Sequence, residues 1–182
     1  MNEMRQVLLC GLGGQGVVLA GALLGAAGFK DGLQVAGASF YGSAARGGEC
    51  RSEVLLSREA IAFPFVTSAD VLVAFSQTTY QRYLAWTACP GGVVFYDDAG
   101  VRPVADAVQR HVSVAAARLA EASLGTAVGA NIVMLAAVAS AAMLVSRERL
   151  VEAVLEGSPS RFRDVNARAL ELGFDLGGRI SL

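Results

Sequence analysis

The sequence contains little histidine, no clustered cysteine and no excess of charge of either sign, and these absences exclude several classes of protein. One histidine, three cysteines and 17% charged residues are spread over 182 positions, with 15 basic against 16 acidic side chains. A nearly neutral chain has no electrostatic basis for binding nucleic acid or an anionic membrane surface. Cys10, Cys50 and Cys89 lie too far apart for the paired spacing of zinc or iron–sulfur ligands, so we expect reduced thiols, a cytoplasmic location and no metal bound by this chain.

Hydrophobic residues, in contrast, make up 54% of the chain. The length is that of one domain, residues 1–182, and so high an apolar content in a small domain favours an interface with other proteins. The longest apolar stretch, Ala127–Val145, has the length of a membrane span but is rich in small residues and contains Asn131 and Ser140. It therefore predicts a buried central helix. The amino-terminal MNEMRQ runs directly into the first predicted strand, which leaves no room for a signal peptide.

The stretch Leu8–Ala20 predicts a strand, a glycine turn and the start of a helix. A short apolar run enters a glycine-rich turn, and a helical pattern follows at once. Glycine permits positive φ and lets backbone N–H groups approach a ligand, while the positive end of the following helix favours an anion such as phosphate. The residues predicted to bind a ligand here are Gly11, Gly13, Gly14, Gln15 and Gly16.

The spacing of these glycines also fits a dinucleotide-binding turn, which places an acidic residue after the second strand to hold a ribose hydroxyl. The second predicted strand, Leu33–Ser39, is followed by Phe-Tyr-Gly and not by a carboxylate, and Asp31 precedes the strand. A stand-alone NAD(P)-binding or phosphate-binding protein is therefore kept as the alternative function, and a purely structural turn as the alternative role of the glycines.

A second glycine-containing loop leaves the carboxyl end of that strand, the end at which α/β sheets place their ligands. An arginine in this loop could clamp a phosphate or carboxylate through two hydrogen bonds, with glycine backbone beside it. Docking of a partner subunit and an ordinary surface turn are the alternatives. The predicted ligand-binding residues of the loop are Tyr41, Gly42, Arg46, Gly47 and Gly48.

Strands that alternate with helices predict an α/β fold, with a Rossmann-like and mainly parallel sheet flanked by helices in a single domain. Ile61–Val66, which contains Pro64, is predicted as a short antiparallel piece at the sheet edge. The predicted strands are Val7–Cys10, Leu33–Ser39, Cys50–Ser57, Val71–Phe75, Val93–Tyr96 and Val112–Ala117. The predicted helices are Gln15–Lys30, Thr78–Trp86, Ala127–Val145, Ser146–Leu155 and Ser158–Leu172, with a helical turn over Arg118–Ser123.

No residue of the chain is predicted to be catalytic. His111 stands alone before a short strand and is interpreted as a surface residue. Asp97 and Asp98 are interpreted as a turn and helix cap in preference to a magnesium site. Asn131, the polar exception at the start of the apolar helix, is predicted to tie that helix to the backbone of a neighbouring loop.

Three segments occur in order along the chain: GLGGQGVVLAG, then FYGSAARGGECRSEV, then ADVLVAFSQTTYQRY. Together they resemble the gamma subunit of the 2-oxoacid:acceptor oxidoreductases, the family of the pyruvate, 2-oxoglutarate, branched-chain 2-oxoacid and indolepyruvate ferredoxin oxidoreductases. The resemblance is strong over Val7–Tyr83 and continues more weakly to the terminal helix with Asn166. One departure is that Ser43 and Ala44 stand where the family's loops often carry proline and glutamate, so this loop is expected to be less rigid.

The resemblance implies a subunit that is noncatalytic by itself, within a complex that converts a 2-oxoacid to its acyl-CoA by oxidative decarboxylation. In that family, alpha and beta subunits assemble the thiamine diphosphate site with its magnesium, and iron–sulfur clusters carry electrons to ferredoxin. The expected partners are therefore alpha and beta subunits, with a delta subunit as a further candidate, and coenzyme A (CoA) is the cosubstrate on the side of the gamma domain. The chain has no Gly-Asp-Gly motif of the kind that holds thiamine diphosphate, so that cofactor must come from other chains. The run Arg51-Ser52-Glu53 resembles the 2-oxoglutarate branch, whose product is succinyl-CoA.

Overall fold

The computed structural model describes residues 4–42, 47–88, 90–105 and 107–182. Within these ranges six strands form one sheet: β1 (Arg5–Leu12), β2 (Gln34–Tyr41), β3 (Glu49–Ser57), β4 (Val71–Ala74), β5 (Val93–Asp97) and β6 (Arg110–Val114). The α-helices in the same ranges are α1 (Val17–Lys30), α2 (Gln77–Tyr83), α3 (Ala116–Leu124), α4 (Ala130–Ala141), α5 (Arg147–Gly157) and α6 (Arg163–Gly177). Short 3₁₀ turns follow α2, over Leu84–Trp86, and precede α6, over Ser160–Phe162.

The strand order in the sheet is β2-β3-β1-β4-β5-β6. β1, β4, β5 and β6 pair in parallel, whereas β3 pairs antiparallel with β1 on one side and with β2 on the other. In the described part of the chain, all strands except β3 therefore point the same way, which confirms the predicted α/β fold with a mainly parallel sheet. The carboxyl ends of β1, β2, β4 and β5 lie at one edge of the sheet, which we call the carboxyl edge.

The larger core lies between the sheet and the helices α1, α3, α4, α5 and α6. α4 is the centre of this layer, since every residue from Ile132 to Ala139 is buried. It packs closely on α6 because a glycine faces it, and a Cβ on Gly173 would collide with the Val133 carbonyl oxygen. The predicted buried central helix is thus confirmed. Among the described residues, no helix combines the length and the apolar character that crossing a membrane requires.

The opposite face of the sheet carries a smaller core, built around Leu8 and Tyr80 and covered in part by α2. The connection from β5 to β6 passes over this face, and side chains of α2 hold it there. The Gln77 amide bonds both the backbone N–H and the carbonyl of Arg102, and the Tyr80 hydroxyl accepts the Val104 N–H at 3.0 Å. These bonds fix the connection beside the carboxyl edge.

The segment Ile61–Val66 is not a strand, and its prediction as an antiparallel edge piece is wrong. Side chains of neighbouring strands bind its end in place of a strand backbone. The buried Glu53 carboxylate accepts the Val66 N–H at 3.0 Å, and the Gln6 amide oxygen accepts the Thr67 N–H at 2.8 Å. Hydrogen bonds of this kind satisfy the backbone without extending the sheet.

Some predicted element ends also shift. β2 continues past Ser39 through Tyr41, because its last two residues still pair with β3. α6 begins at Arg163, after the 3₁₀ turn, and runs through Gly173 to Gly177. Gly173 lies within the helix and Gly177 is its last residue, and both pack against the backbone of α4.

Candidate functional site

The glycine turn joins β1 to α1 at the carboxyl edge. Gly14 and Gly16 have φ of 104° and 72°, a region that favours glycine, so the helix begins at Val17 and not at the predicted Gln15. At Gly16 a side chain is excluded twice, because a Cβ there would also collide with the Asn131 amide nitrogen. No N-cap side chain closes α1, and its described first turn contains no acidic residue. The N–H groups at the start of α1 are therefore left for a ligand or for water.

The Gln15 side chain braces this turn. Its amide oxygen accepts the Leu12 N–H at 2.7 Å, and its amide nitrogen donates to the Phe75 carbonyl at 3.1 Å. These bonds tie the end of β1 to the chain that follows β4. Gly11 lies against the brace, since a Cβ there would be 2.7 Å from the Gln15 amide oxygen. Both residues therefore shape the turn, in addition to any contact they make with a ligand.

The two predicted glycine segments lie in direct contact. The Gly13 N–H donates to the Gly48 carbonyl at 2.8 Å, so the loop after β2 is tied to the turn after β1. Gly47 has φ of 72°, and the Gly42 N–H closes the hairpin on the Glu49 carbonyl at 2.7 Å. The two segments are therefore held together by their backbones at the carboxyl edge.

Of the two other residues predicted to bind a ligand in this loop, the structure describes Tyr41 but not Arg46. Tyr41 ends β2 and is 71% exposed, so its side chain is accessible to a ligand or to a partner chain. Arg46, the predicted anion clamp, belongs to residues 43–46, which lie outside the described residues.

A cavity of about 360 Å³ opens beside the glycine turn, between the ends of β4 and β5 and the starts of α3 and α4. We call it the turn cavity. Three described helices, α1, α3 and α4, begin at its wall, and none of them has an N-cap side chain that bonds its backbone or an acidic residue in its first turn. The helix dipoles therefore favour an anion there, although the cavity is lined by no described lysine or arginine. The lining residues are Gly14, Gln15, Gly16, Leu19, Phe75, Asp97, Ala117 and residues 127–131.

Asp97 and Asn131 are the other polar side chains of the turn cavity. Asp97 is 5% exposed, and burial raises the pKa of its carboxyl group, although the backbone N–H groups of Ala99 and Ala117 act in the opposite direction by bonding to it. The Ala99 N–H donates to Asp97 Oδ1 at 3.3 Å, so Asp97 holds the turn that follows β5, which is the turn role predicted for it. The Asn131 amide donates to the Gly16 carbonyl at 3.3 Å, which confirms the predicted tie between α4 and a neighbouring loop.

A second, smaller cavity of about 160 Å³ lies at the carboxyl edge, where the β2–β3 hairpin meets α2. We call it the hairpin cavity. Arg51 lies at its wall and on the same strand face as Phe40, because these two residues are paired in the hairpin. The lining residues are Phe40, Tyr41, Gly42, Glu49, Cys50, Arg51, Arg82 and Tyr83.

Arg51 is not among the residues predicted from the sequence to bind a ligand. A signal was present, since Arg51 and Glu53 are the two charged residues of the predicted strand Cys50–Ser57 and, at alternate positions, point to one face. Burial alone would lower the pKa of the Arg51 guanidinium, but its hydrogen bonds to Tyr83 and Glu53 outweigh burial, so the pKa is raised. Arg51 is therefore a permanent cation at the hairpin cavity.

His111 is half-buried, and its interpretation as a surface residue is wrong. Its Nε2 lies 2.8 Å from the Tyr80 hydroxyl, which also accepts the Val104 N–H. The hydroxyl proton is thus directed to Nε2, and Nδ1 carries the proton that is donated to the Gln109 carbonyl at 2.9 Å. His111 helps to hold the β5–β6 connection and lines neither cavity.

A Rossmann-like sheet, with two glycine loops joined at its carboxyl edge, defines the class of this protein as an α/β domain with a candidate anion site after β1. The pyruvate ferredoxin/flavodoxin oxidoreductase family matches residues 6–176. The chain belongs to that family, which confirms the resemblance drawn from the three sequence segments.

Individual members of the family align with nearly the whole chain. The 2-oxoglutarate synthase subunit KorC of Methanocaldococcus jannaschii is 35% identical over 186 residues, which cover 97% of this chain and 98% of the relative. The crystal structure of a keto/oxoacid ferredoxin oxidoreductase gamma subunit from Geobacter sulfurreducens has a TM-score of 0.84 at 30% identity and covers 97% of this chain and 99% of its own. A 2-oxoglutarate:ferredoxin oxidoreductase from Magnetococcus marinus matches all of this chain with 32% of its own longer chain, at a TM-score of 0.88 and 19% identity. This match shows a shared fold.

Proposed function

We propose that this chain is the gamma subunit of a multi-subunit, thiamine-dependent 2-oxoacid:ferredoxin oxidoreductase and is noncatalytic by itself. The observation that carries this proposal is the full-length similarity to a chain named as a 2-oxoglutarate synthase subunit. The reaction is the oxidative decarboxylation of a 2-oxoacid to its acyl-CoA, and 2-oxoglutarate, which yields succinyl-CoA, is the proposed substrate. The part of this chain is to support assembly of the complex and to form the CoA side of its site.

Thiamine diphosphate, magnesium and the iron–sulfur clusters are assigned to alpha and beta subunits, with a delta subunit as a further candidate partner. The described cysteines support this division. Burial raises the pKa of the Cys10 thiol to about 12, so the thiolate that a metal requires is scarce at neutral pH. Cys50 is buried too, and burial raises the pKa of its thiol. Within the described residues, no three His, Cys, Asp or Glu side chains are grouped so that they could hold a metal ion.

The turn cavity is the proposed binding site for CoA. The phosphates of CoA suit the starts of α1 and α4, where N–H groups and helix dipoles favour an anion, whereas Asp97 already lies beside the start of α3. Leu19 and Val128 line the cavity and are 46% and 52% exposed, so they offer apolar surface to the uncharged parts of the molecule. The Magnetococcus marinus enzyme, part of which has the same fold, is described with CoA bound, which supports CoA as a ligand of the assembled enzyme. The residues proposed to contact ligand are Gly11, Gly13, Gly14, Gln15 and Gly16 of the turn, with Tyr41, Gly42, Arg46, Gly47 and Gly48 of the loop tied to it.

The alternative, a stand-alone NAD(P)-binding or phosphate-binding protein, fits the sheet less well. A conventional dinucleotide site has the second strand beside the first, so that an acid at its end reaches the ribose. Here the antiparallel strand β3 lies between β1 and β2, and Tyr41 stands at the end of β2. This alternative requires tight nucleotide binding by the isolated chain, whereas the proposed function requires partner chains.

Anaerobic copurification of the tagged chain from its native cells tests the proposed function. We expect thiamine-containing and iron–sulfur-containing chains to copurify, together with dye reduction that depends on both a 2-oxoacid and CoA. Comparison of pyruvate, 2-oxoglutarate, branched-chain 2-oxoacids and indolepyruvate then gives the substrate preference, and we expect 2-oxoglutarate to be the best substrate. A chain that arrives alone, lacks this activity and binds NAD(P) tightly would contradict the proposal.

A further inference from the structure

Aromatic rings fix the guanidinium of Arg51 in the hairpin cavity. Its central carbon lies 3.8 Å from the centre of the Phe40 ring, 5.1 Å from that of Trp86 and 5.6 Å from that of Tyr83. Contacts between a cation and ring faces hold the plane of the guanidinium. A side chain that is already ordered loses little conformational entropy when it binds an anion.

Two hydrogen bonds decide which N–H groups of Arg51 are used. Nε donates to the Glu53 carboxylate at 2.9 Å, and Nη1 donates to the Tyr83 hydroxyl at 3.4 Å. Glu53 is itself fixed, because it is 2% exposed and its other oxygen accepts the Val66 N–H. Arginine has five N–H donors, and no described residue accepts from the remaining ones, which belong to Nη1 and Nη2. Carboxylates and phosphates bind this part of a guanidinium through two parallel hydrogen bonds.

The hairpin cavity has the size of an anionic group and not of a whole nucleotide, at about 160 Å³. Arg82 brings a second guanidinium to its wall. The partner of Arg82 is Glu49, in an ion pair whose side chains are 63% and 32% exposed, and such surface pairs are weak and easily exchanged. Because Glu53 and Glu49 offset the charges of Arg51 and Arg82, binding in this cavity depends on direct hydrogen bonds more than on a long-range field.

From this geometry we propose that the hairpin cavity is a second oxyanion site, in which Arg51 and Arg82 bind the carboxylate or phosphate terminus of a ligand. Glu53 is a positioning residue, since it orients Arg51 through Nε. The site lies on the α2 face of the sheet, whereas the turn cavity lies on the α1 face, so the two do not share lining residues.

An NMR titration of the full chain, with detection of the arginine side-chain nitrogens, tests this site with inorganic phosphate and with succinate. We expect the Arg51 resonance to shift and to saturate at millimolar concentrations of one of these anions, and the anion that binds more tightly identifies the terminus as phosphate or carboxylate. Arg51→Lys keeps the charge but loses the planar fork, so it should weaken binding by roughly tenfold or more. Arg147→Lys is the matched control, because Arg147 also lies over a ring, 4.4 Å from that of Phe174, and pairs with Glu171, but lines neither cavity.

The proposal is overturned if neither anion shifts the Arg51 resonance, or if Arg51→Lys binds as tightly as the unmodified chain, or if Arg147→Lys weakens binding equally. Should Arg51→Lys not fold, the exposed Arg82→Gln takes its place and should weaken binding by about threefold. Both titrations use the chain in the absence of partners. Failure of this site therefore leaves the proposed oxidoreductase function intact, and failure of copurification leaves this site intact.

Discussion

The substitution Asn131→Asp tests whether CoA binds in the turn cavity, because it should weaken CoA binding without preventing folding. Asn131 is the second residue of α4, lines the turn cavity and donates to the Gly16 carbonyl. A carboxylate at this position loses that hydrogen bond and turns an oxygen toward the Gly16 carbonyl oxygen, at a cost of about 1–3 kcal/mol, and gains about 0.5 kcal/mol from the dipole of α4. The free energy of unfolding should therefore fall by about 0.5–2.5 kcal/mol.

The same substitution places a negative charge beside the proposed position of the CoA phosphates. Two unit charges about 6 Å apart, at an effective dielectric constant of about 20, repel by about 3 kcal/mol, and solvent and salt reduce this to about 1–2 kcal/mol. The KM for CoA should therefore rise by roughly 5- to 30-fold, while the KM for the 2-oxoacid should not change.

Initial rates of dye reduction by the assembled complex, with CoA varied at saturating 2-oxoacid, measure this effect. Urea unfolding of the isolated variant measures its stability. Ser181→Asp is the control, since it adds the same charge at an exposed residue next to Arg110, at the start of β6 and away from the carboxyl edge. An unchanged KM for CoA in an Asn131→Asp variant that folds normally would refute the assignment of CoA to the turn cavity.

Three further predictions concern stability and reactivity. Gly16→Ala should lower the free energy of unfolding by about 2–3 kcal/mol, because the new Cβ is strained by the positive φ and also collides with Asn131. Gly32→Ala is the control, since φ there is 79° but the surroundings are open, and it should cost about 1 kcal/mol. Equal losses in urea unfolding would mean that the contact with Asn131 is unimportant. Cys10 should resist alkylation at mildly alkaline pH in the folded chain and react after denaturation, because burial raises the pKa of its thiol to about 12. Mass spectrometry measures the labelling, and rapid labelling before denaturation would contradict this prediction. Asp97→Asn should stabilise the chain at neutral pH, because the raised pKa of Asp97 makes its charged form costly in the folded state. The folded chain holds that proton to higher pH than the unfolded chain, so the gain should shrink as pH falls through the raised pKa and vanish below the ordinary value of 3.8; a gain that does not vary with pH in urea unfolding would be inconsistent with this cause.

The glycine turn could be predicted because its structure depends on local sequence. An apolar run, glycines and a helical pattern occur in immediate succession, and the positive φ of Gly14 and Gly16 follows from chemistry that only glycine tolerates well. The end of the β2 strand and the loop after it could be placed at the same edge by the rule that parallel strands share a direction. The Gly13–Gly48 hydrogen bond that joins the two loops could not be predicted, since it depends on the insertion of β3 between β1 and β2.

Residues whose roles depend on distant neighbours were missed. The environment of Arg51 comes from Phe40 on β2, Glu53 on its own strand and Tyr83 on α2, and only the folded chain brings these together. His111 was assigned to the surface because its partner Tyr80 is far away in sequence.

Local rules were also overridden by packing in α6. Gly173 weakens a helix by its intrinsic propensity, and the sequence around it indicates a loosened end. In the structure it lies against the Val133 carbonyl oxygen of α4, where any side chain would collide. Close packing on the buried helix α4 therefore requires glycine at position 173, although glycine is a poor helix former.

Addition of this chain to its partner chains, purified without it, tests the central claim most directly. The measured quantity is the rate of acyl-CoA formation from a 2-oxoacid and CoA, with and without the chain. We predict that the partners alone form acyl-CoA slowly and that addition of the chain restores CoA-dependent turnover, with no activity from the chain by itself. Acyl-CoA formation at the full rate without the chain would contradict the claim that it supplies the CoA side of the site.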